Sequence, residues 1–193
     1  MDEFTFKKYD DKYSNLTLNI KKYDNNLIIK DGFKNKKLTI NFLGSNSSVE
    51  LGENCNLQGV ITVSDNATVK IGNNFSSTGG VTILCRDECI VTIGDGCMFA
   101  TSILIRTSDE HSIVDLATNN VLNPNCDVEI GKKVWICDNT LILKGSKIGD
   151  ECVIGARSVI AGKIDNNSLA VGVPAKVIRN NITWDKRRPK KRN

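Results

Sequence analysis

Isoleucine stands at positions 130, 136, 142, 148, 154 and 160, an unbroken six-residue ruler. On an α-helix a step of six turns roughly 240°, which would scatter these side chains over three faces. In an extended strand six is an even step, so all of them point the same way. Two residues before each stand Val128, Val134, Thr140, Ser146, Cys152 and Ser158, β-branched or small. One residue after stand Gly131, Cys137, Leu143, Gly149, Gly155 and Ala161, small enough for a tight corner except at Leu143. The tetrads Val49-Glu50-Leu51-Gly52, Val69-Lys70-Ile71-Gly72, Val91-Thr92-Ile93-Gly94, Val128-Glu129-Ile130-Gly131 and Ser146-Lys147-Ile148-Gly149 carry glycines 20, 22, 37 and 18 residues apart. Eighteen is three sixes, so each coil is expected to be a triangular turn of three short strands, stacked about 4.8 Å on the next. The expected fold class is all-β, a parallel β-helix of hexapeptide repeats.

Stacked columns of like side chains account for an aromatic content of only 6% and point to an aliphatic core, with asparagine and glycine gathered at corners. Residues 1–48 read as irregular or degenerate starting coils and 49–162 as the repeat body with an inserted loop at 106–126. Residues 163–185, with Gly172-Val-Pro174-Ala175, read as a cap over the open end, and 186–193 as a basic tail. The tail carries six positive charges in eight positions; removing them from a net charge of +4 leaves the body at −2. Basicity therefore gives no ground for a nucleic-acid partner. The tail is expected to lie outside the fold, as a solvated terminus or as a contact to anionic membrane lipid or a polyanionic glycan. Seven cysteines and no long apolar run favour a reducing cytoplasm. Cys85 and Cys89 have no second pair at zinc spacing, so no metal is expected and the cysteines read as small buried apolar residues.

The surplus of 19 residues between Ile105 and Ile130 is longer than structureless loops usually are, and such loops tend to carry function. This one holds the only histidine, in Arg106-Thr-Ser-Asp109-Glu110-His111-Ser-Ile-Val-Asp115. A histidine flanked by carboxylates suits the work of a general base for a hydroxyl; a solvated loop histidine is the plainer reading.

The run from Val128 through Trp135, Gly155 and Lys163 to Arg179 closely resembles the left-handed β-helix hexapeptide acyltransferases. Ser108-Asp-Glu-His111-Ser-Ile, Leu122-Asn-Pro124 and Asn181-Ile-Thr-Trp184 are similar to the capsule, lipopolysaccharide and sialic-acid O-acetyltransferase branch. The likeness is close over residues 91–184 and looser over 49–90. It implies a left-handed helix and an acetyl-CoA-dependent O-acetyltransferase acting on a cell-surface glycan. It implies His111 as general base, with Asp109 or Glu110 as its carboxylate partner and Asp115 a third candidate. Trp135 would face the site and touch the acetyl or acceptor group, with a backbone N–H near Trp135 to Cys137 receiving the oxyanion. Gly155, Ala156, Ala161 and Gly162 would line the pantetheine arm of coenzyme A, with Lys163, Lys176 and Arg179 at its phosphates. The resemblance also implies a homotrimer with sites between subunits. Arg106, Lys132 and Lys133 would suit a carboxylate-bearing sugar.

Three rival readings make different demands on the chain. A zinc β-helix of the carbonic-anhydrase type needs three histidine ligands, two of them from one chain, which a single histidine rules out. An N-acetyltransferase on an amino sugar nucleotide would use the same base and donor. A catalytically inert solenoid scaffold would need neither the carboxylates beside His111 nor the lysine-bearing cap. The chain shows no repeated nucleophile–base pairing, so transfer is expected in one step without an acyl-enzyme.

Overall fold

The computed structural model describes residues 15–191; residues 1–14 of the expected starting coils and 192–193 of the tail lie outside the described residues. Among the described residues every regular element is a strand, and all pairings between coils are parallel. The strands form three columns that make the faces of a triangular prism. One face stacks Leu16–Ile20, the end of Lys34–Phe42, the end of Asn56–Val63, Val81–Cys85, Ile103–Arg106, Leu141–Ile142 and Val159–Ile160. A second stacks Ser76–Ser77, Met98–Phe99, Trp135–Ile136, Val153–Ile154 and Leu169–Gly172. The third runs from Asn26–Ile29 through Ser48–Leu51, Thr68–Ile71, Ile90–Ile93, Val128–Ile130 and Lys147–Ile148 to Lys163–Ile164.

The ruler is the core. Ile130 stacks on Ile148, Ile136 on Ile154 and Ile142 on Ile160, one pair per face, each eighteen residues apart and at most 3% exposed. The starting coils expected over residues 1–48 are regular where described, and at the far end the coils run past the expected boundary at 162. Leu16–Ile20 and Asn26–Ile29 already pair in register, and at the far end Ile164 continues the column of Ile148 while Ala170 continues that of Ile154. This last coil is two residues shorter than its neighbour, the corner at Ala161-Gly162 being tightened by the φ of 141° at Gly162. Only then does Ala175–Arg179 turn back antiparallel on Leu169–Gly172 and close the second face.

The aliphatic expectation needs correction. Phe33, Phe42, Phe75 and Phe99 are all buried. Rings fit where the stacked neighbours are small. Phe75 follows Cys55 and precedes Cys97 in its inward column, and Phe99 follows Ser77. The two rings meet edge to face, with centroids 4.9 Å apart and planes at 78°. Volume is thus conserved over neighbouring coils rather than within each one.

The spaced glycines mark close stacking at one edge. A Cβ on Gly94 would lie 2.7 Å from the Gly131 carbonyl carbon and oxygen, backbone that cannot swing away. Gly94→Ala is expected to destabilise the fold by about 1–3 kcal/mol, read as a lower midpoint in denaturant unfolding.

Candidate active site

His111 is placed by a corner that the chain begins and does not finish. Asp24, Asn46, Asn66, Glu88 and Glu110 stack at one edge of the prism with φ between 54° and 69°. After Glu110 the chain leaves the edge, so His111 is the first residue of the insertion. The insertion is closed at its base, where Cys126 N–H donates to the Thr107 carbonyl at 3.0 Å, and the buried Thr107 hydroxyl accepts from Arg86 N–H at 2.8 Å. Farther out, Val114 and Val121 form an antiparallel bridge and Leu122 N–H donates to the Ile113 carbonyl. Ile113, Leu116, Val121 and Leu122 are exposed apolar side chains along this projection.

Asn123 ties the histidine segment to the far end of the loop. Its amide donates to the His111 carbonyl and to Asp109 Oδ2, both at 2.9 Å, and its oxygen accepts from Ile113 N–H at 2.6 Å. Lys144 sits beneath, 2.5 Å from Asp109 and donating to the Asn123 carbonyl at 2.7 Å. The Lys144 ammonium, then Asn123, holds the Asp109 carboxyl below the usual carboxylate range. This anchor is intact above the ordinary carboxylate pKa and is lost only as pH falls from about 4 through the depressed value.

The three carboxylates near His111 are engaged elsewhere in this chain. Asp109 pairs with Lys144, Glu110 accepts from Arg86 Nε at 2.8 Å, and Asp115 caps its own turn. Hydrogen bonds from Thr118 and Ala117 hold Asp115 below its usual range. The His111 side chain is exposed, and its imidazole makes no hydrogen bond or ion pair among the described residues.

Trp135 lies elsewhere. It projects from the second face, half-buried, between Met98 and Val153. Its ring meets that of Trp184 at 6.0 Å, and the Trp184 indole donates to the Lys133 carbonyl at 2.6 Å. Lys133 is fixed in turn by Glu151 and Thr183, which hydrogen-bond each other. A cavity of about 570 Å³ runs along this face over Met98, Trp135, Val153 and Leu169 to Arg179, with Trp184 as its wall. The backbone N–H groups of Trp135 and Cys137 donate at 2.9 Å to Cys152 and Ile154, so the expected oxyanion donors are in use within the coil ladder. The Trp135 indole N–H has no acceptor among the described residues.

The expected coenzyme residues do not converge within one chain. Arg179 lines the Trp135 cavity, and Lys176 lies across from Val171 on the same closing hairpin. Gly155 and Ala156 stand at the edge between the second and first faces. Ala161 and Gly162 stand at the edge from which the histidine loop springs, and Lys163 projects from the third face, 2.7 Å from Asp165. Arg106 is turned onto the Ser108 carbonyl and Lys133 onto Glu151, while Lys132 is exposed.

The pattern described as bacterial transferase hexapeptide (six repeats) matches residues 127–162. The polysialic acid O-acetyltransferase of Escherichia coli O1:K1 is 35% identical over 98 residues, 51% of this chain and 32% of that protein, so the chain spans about a third of that relative's length. The solved polySia-specific acetyltransferase NeuO superposes with a TM-score of 0.85 at 32% identity, over 89% of this chain and 72% of that one. The chain belongs to the hexapeptide-repeat acyltransferases. A solved polysialic acid O-acetyltransferase, OatWY, is similar over 90% of this hexapeptide-repeat protein and 92% of its own chain, at 27% identity and a TM-score of 0.65.

Arg86, Asn123 and Lys144 escaped the sequence reading. Asn123 lies within Leu122-Asn-Pro124, where the sequence assigns it no role, while Arg86 and Lys144 lie on other coils and give no local signal. The cysteines of this hexapeptide-repeat chain are free, five of them buried and Cys126 and Cys137 partly so. Burial pushes the Cys85 and Cys97 thiols up to about 12, which suits packing and not nucleophilic work. Among the described residues no cluster of side chains is suited to a metal, and no helix is long and apolar enough to cross a membrane.

Proposed function

We propose that this chain is an acetyl-CoA-dependent O-acetyltransferase for a hydroxyl of an acidic cell-surface glycan, with left-handed coils and its sites built between the subunits of a trimer. One observation carries the reading: the His111 loop springs from the prism edge opposite the face that bears Trp135, and loop residues do not line the Trp135 cavity. The histidine of one copy and the tryptophan of another can meet when one prism's edge lies along its neighbour's second face. Ala161 and Gly162 stand at the same edge as His111, so that edge would also bring these small residues, expected beside pantetheine. The exposed apolar loop residues would be covered by the neighbour.

In this arrangement His111 accepts the proton of the acceptor hydroxyl as the oxygen attacks the thioester carbonyl. The Trp135 indole N–H donates to the oxygen that gains charge, and His111 returns its proton to the departing thiolate. Arg179, at the far end of the cavity, faces the phosphates of the donor. We place the reaction in the cytoplasm, where free cysteines stay reduced and acetyl-CoA is supplied.

The test is subunit complementation. His111→Ala and Trp135→Ala are each expected to lack thiol release from acetyl-CoA in the presence of polysialic acid. Co-refolded at equal amounts, they should regain about a quarter of the sites by random closure of a ring. A mixture as inactive as its parents would put both residues in one chain's site and overturn the proposal.

A further inference from the structure

The basic tail does not leave the body as the sequence implied. Asp185, Lys186, Arg187, Arg188 and Pro189 line the same cavity as Trp135 and Trp184. Two contacts set this course. Trp184, 8% exposed, is held by the Lys133 carbonyl, and Asp185 turns the chain by accepting from Arg187 N–H at 2.7 Å and from its Nε at 2.9 Å. Asp185 neutralises Arg187 only. Lys186, Arg188, Lys190, Lys191 and Arg179 have no acidic partner among the described residues. The cavity thus has an apolar and aromatic floor and a cationic rim formed by a segment that crosses no coil and stacks in no column.

From this geometry we infer that residues 186–191 form an acceptor subsite that draws the carboxylates of a polyanionic glycan over the Trp135 cavity. This rests on the function proposed above. Two features favour a polymer with repeated carboxylates. The cations are spread along an irregular run that reaches roughly 20 Å when extended, so they match charge that recurs along a chain better than a single phosphate group. Among the described residues 186–191 there is no glycine turn, and the Arg187 N–H is taken by Asp185, so nothing there resembles the backbone cradle that would suit one phosphate. Tryptophan faces beside cations also suit a sugar that is apolar on one side and charged on the other.

The two tryptophans of the chain both line this cavity, so intrinsic fluorescence reads its occupancy without any turnover. Polysialic acid titrated into the full-length protein is expected to change that emission, with dextran as the neutral control. In a Lys186→Gln/Arg188→Gln/Lys190→Gln variant, which keeps the Asp185–Arg187 pair, the dissociation constant for polysialic acid should rise about tenfold and its dependence on salt should weaken. The KM for acetyl-CoA should stay as in the unsubstituted protein. Unchanged polysialic acid binding in the variant would overturn the inference, and so would a raised KM for acetyl-CoA with unchanged polymer binding, which would make the tail a phosphate contact. Tail-dependent binding without acetyl transfer by the unsubstituted protein would uphold the subsite while removing the proposed reaction.

Discussion

His111→Ala is expected to lower the rate of thiol release from acetyl-CoA with a glycan acceptor by about 10²–10⁴-fold, the usual worth of a positioned general base. The fold should be untouched. The imidazole is exposed and makes no contact that stabilises the loop, which is anchored instead through the His111 carbonyl, Asn123, Asp109 and Lys144. Circular dichroism and oligomeric state are therefore expected to match the unsubstituted protein. The Asp109 anchor is depressed by Lys144, so it stays charged throughout neutral and mildly acidic pH. Loss of activity in the variant at a pH where this anchor stays charged would then report the base and not loop release. Full activity in His111→Ala would remove the residue from the reaction.

Phe99→Ala is expected to cost about 3–5 kcal/mol, the cost of truncating a fully buried ring. Phe99 is fully buried, stacks between Ser77 and Ile136, and meets Phe75 edge to face. Ser77 on one side is too short to refill the space. The neighbouring strands are held by ladders to further coils, so they cannot close the gap. Equilibrium unfolding followed by far-ultraviolet circular dichroism measures the loss. The companion change Cys97→Ala, at a small position of the adjacent column, should cost far less. Equal costs would mean that the ring is not the filler of this layer.

The repeat dictated its own stacking because a step of six in an extended chain forces side chains to one side, and only coils of eighteen bring Ile130, Ile136 and Ile142 over Ile148, Ile154 and Ile160. The corner glycines, the inserted loop and its single histidine were legible for the same reason: each interrupts a period that is otherwise local. The phenylalanines were not, since whether a ring fits at Phe75 or Phe99 depends on Cys55, Cys97 and Ser77 one coil away, at sequence distances that follow no fixed rule. The partners of the carboxylates were hidden likewise. Arg86, Asn123 and Lys144 reach Glu110 and Asp109 only once three coils and the loop base are stacked. The basic tail shows the division most clearly. Its charge could be counted in the sequence, but its place over Trp135 was decided in three dimensions, by Trp184 docking on the Lys133 carbonyl and Asp185 turning the chain along the second face. Periodicity is a property of neighbours in the chain. The environment of a side chain outside the period is set by residues that only folding brings near.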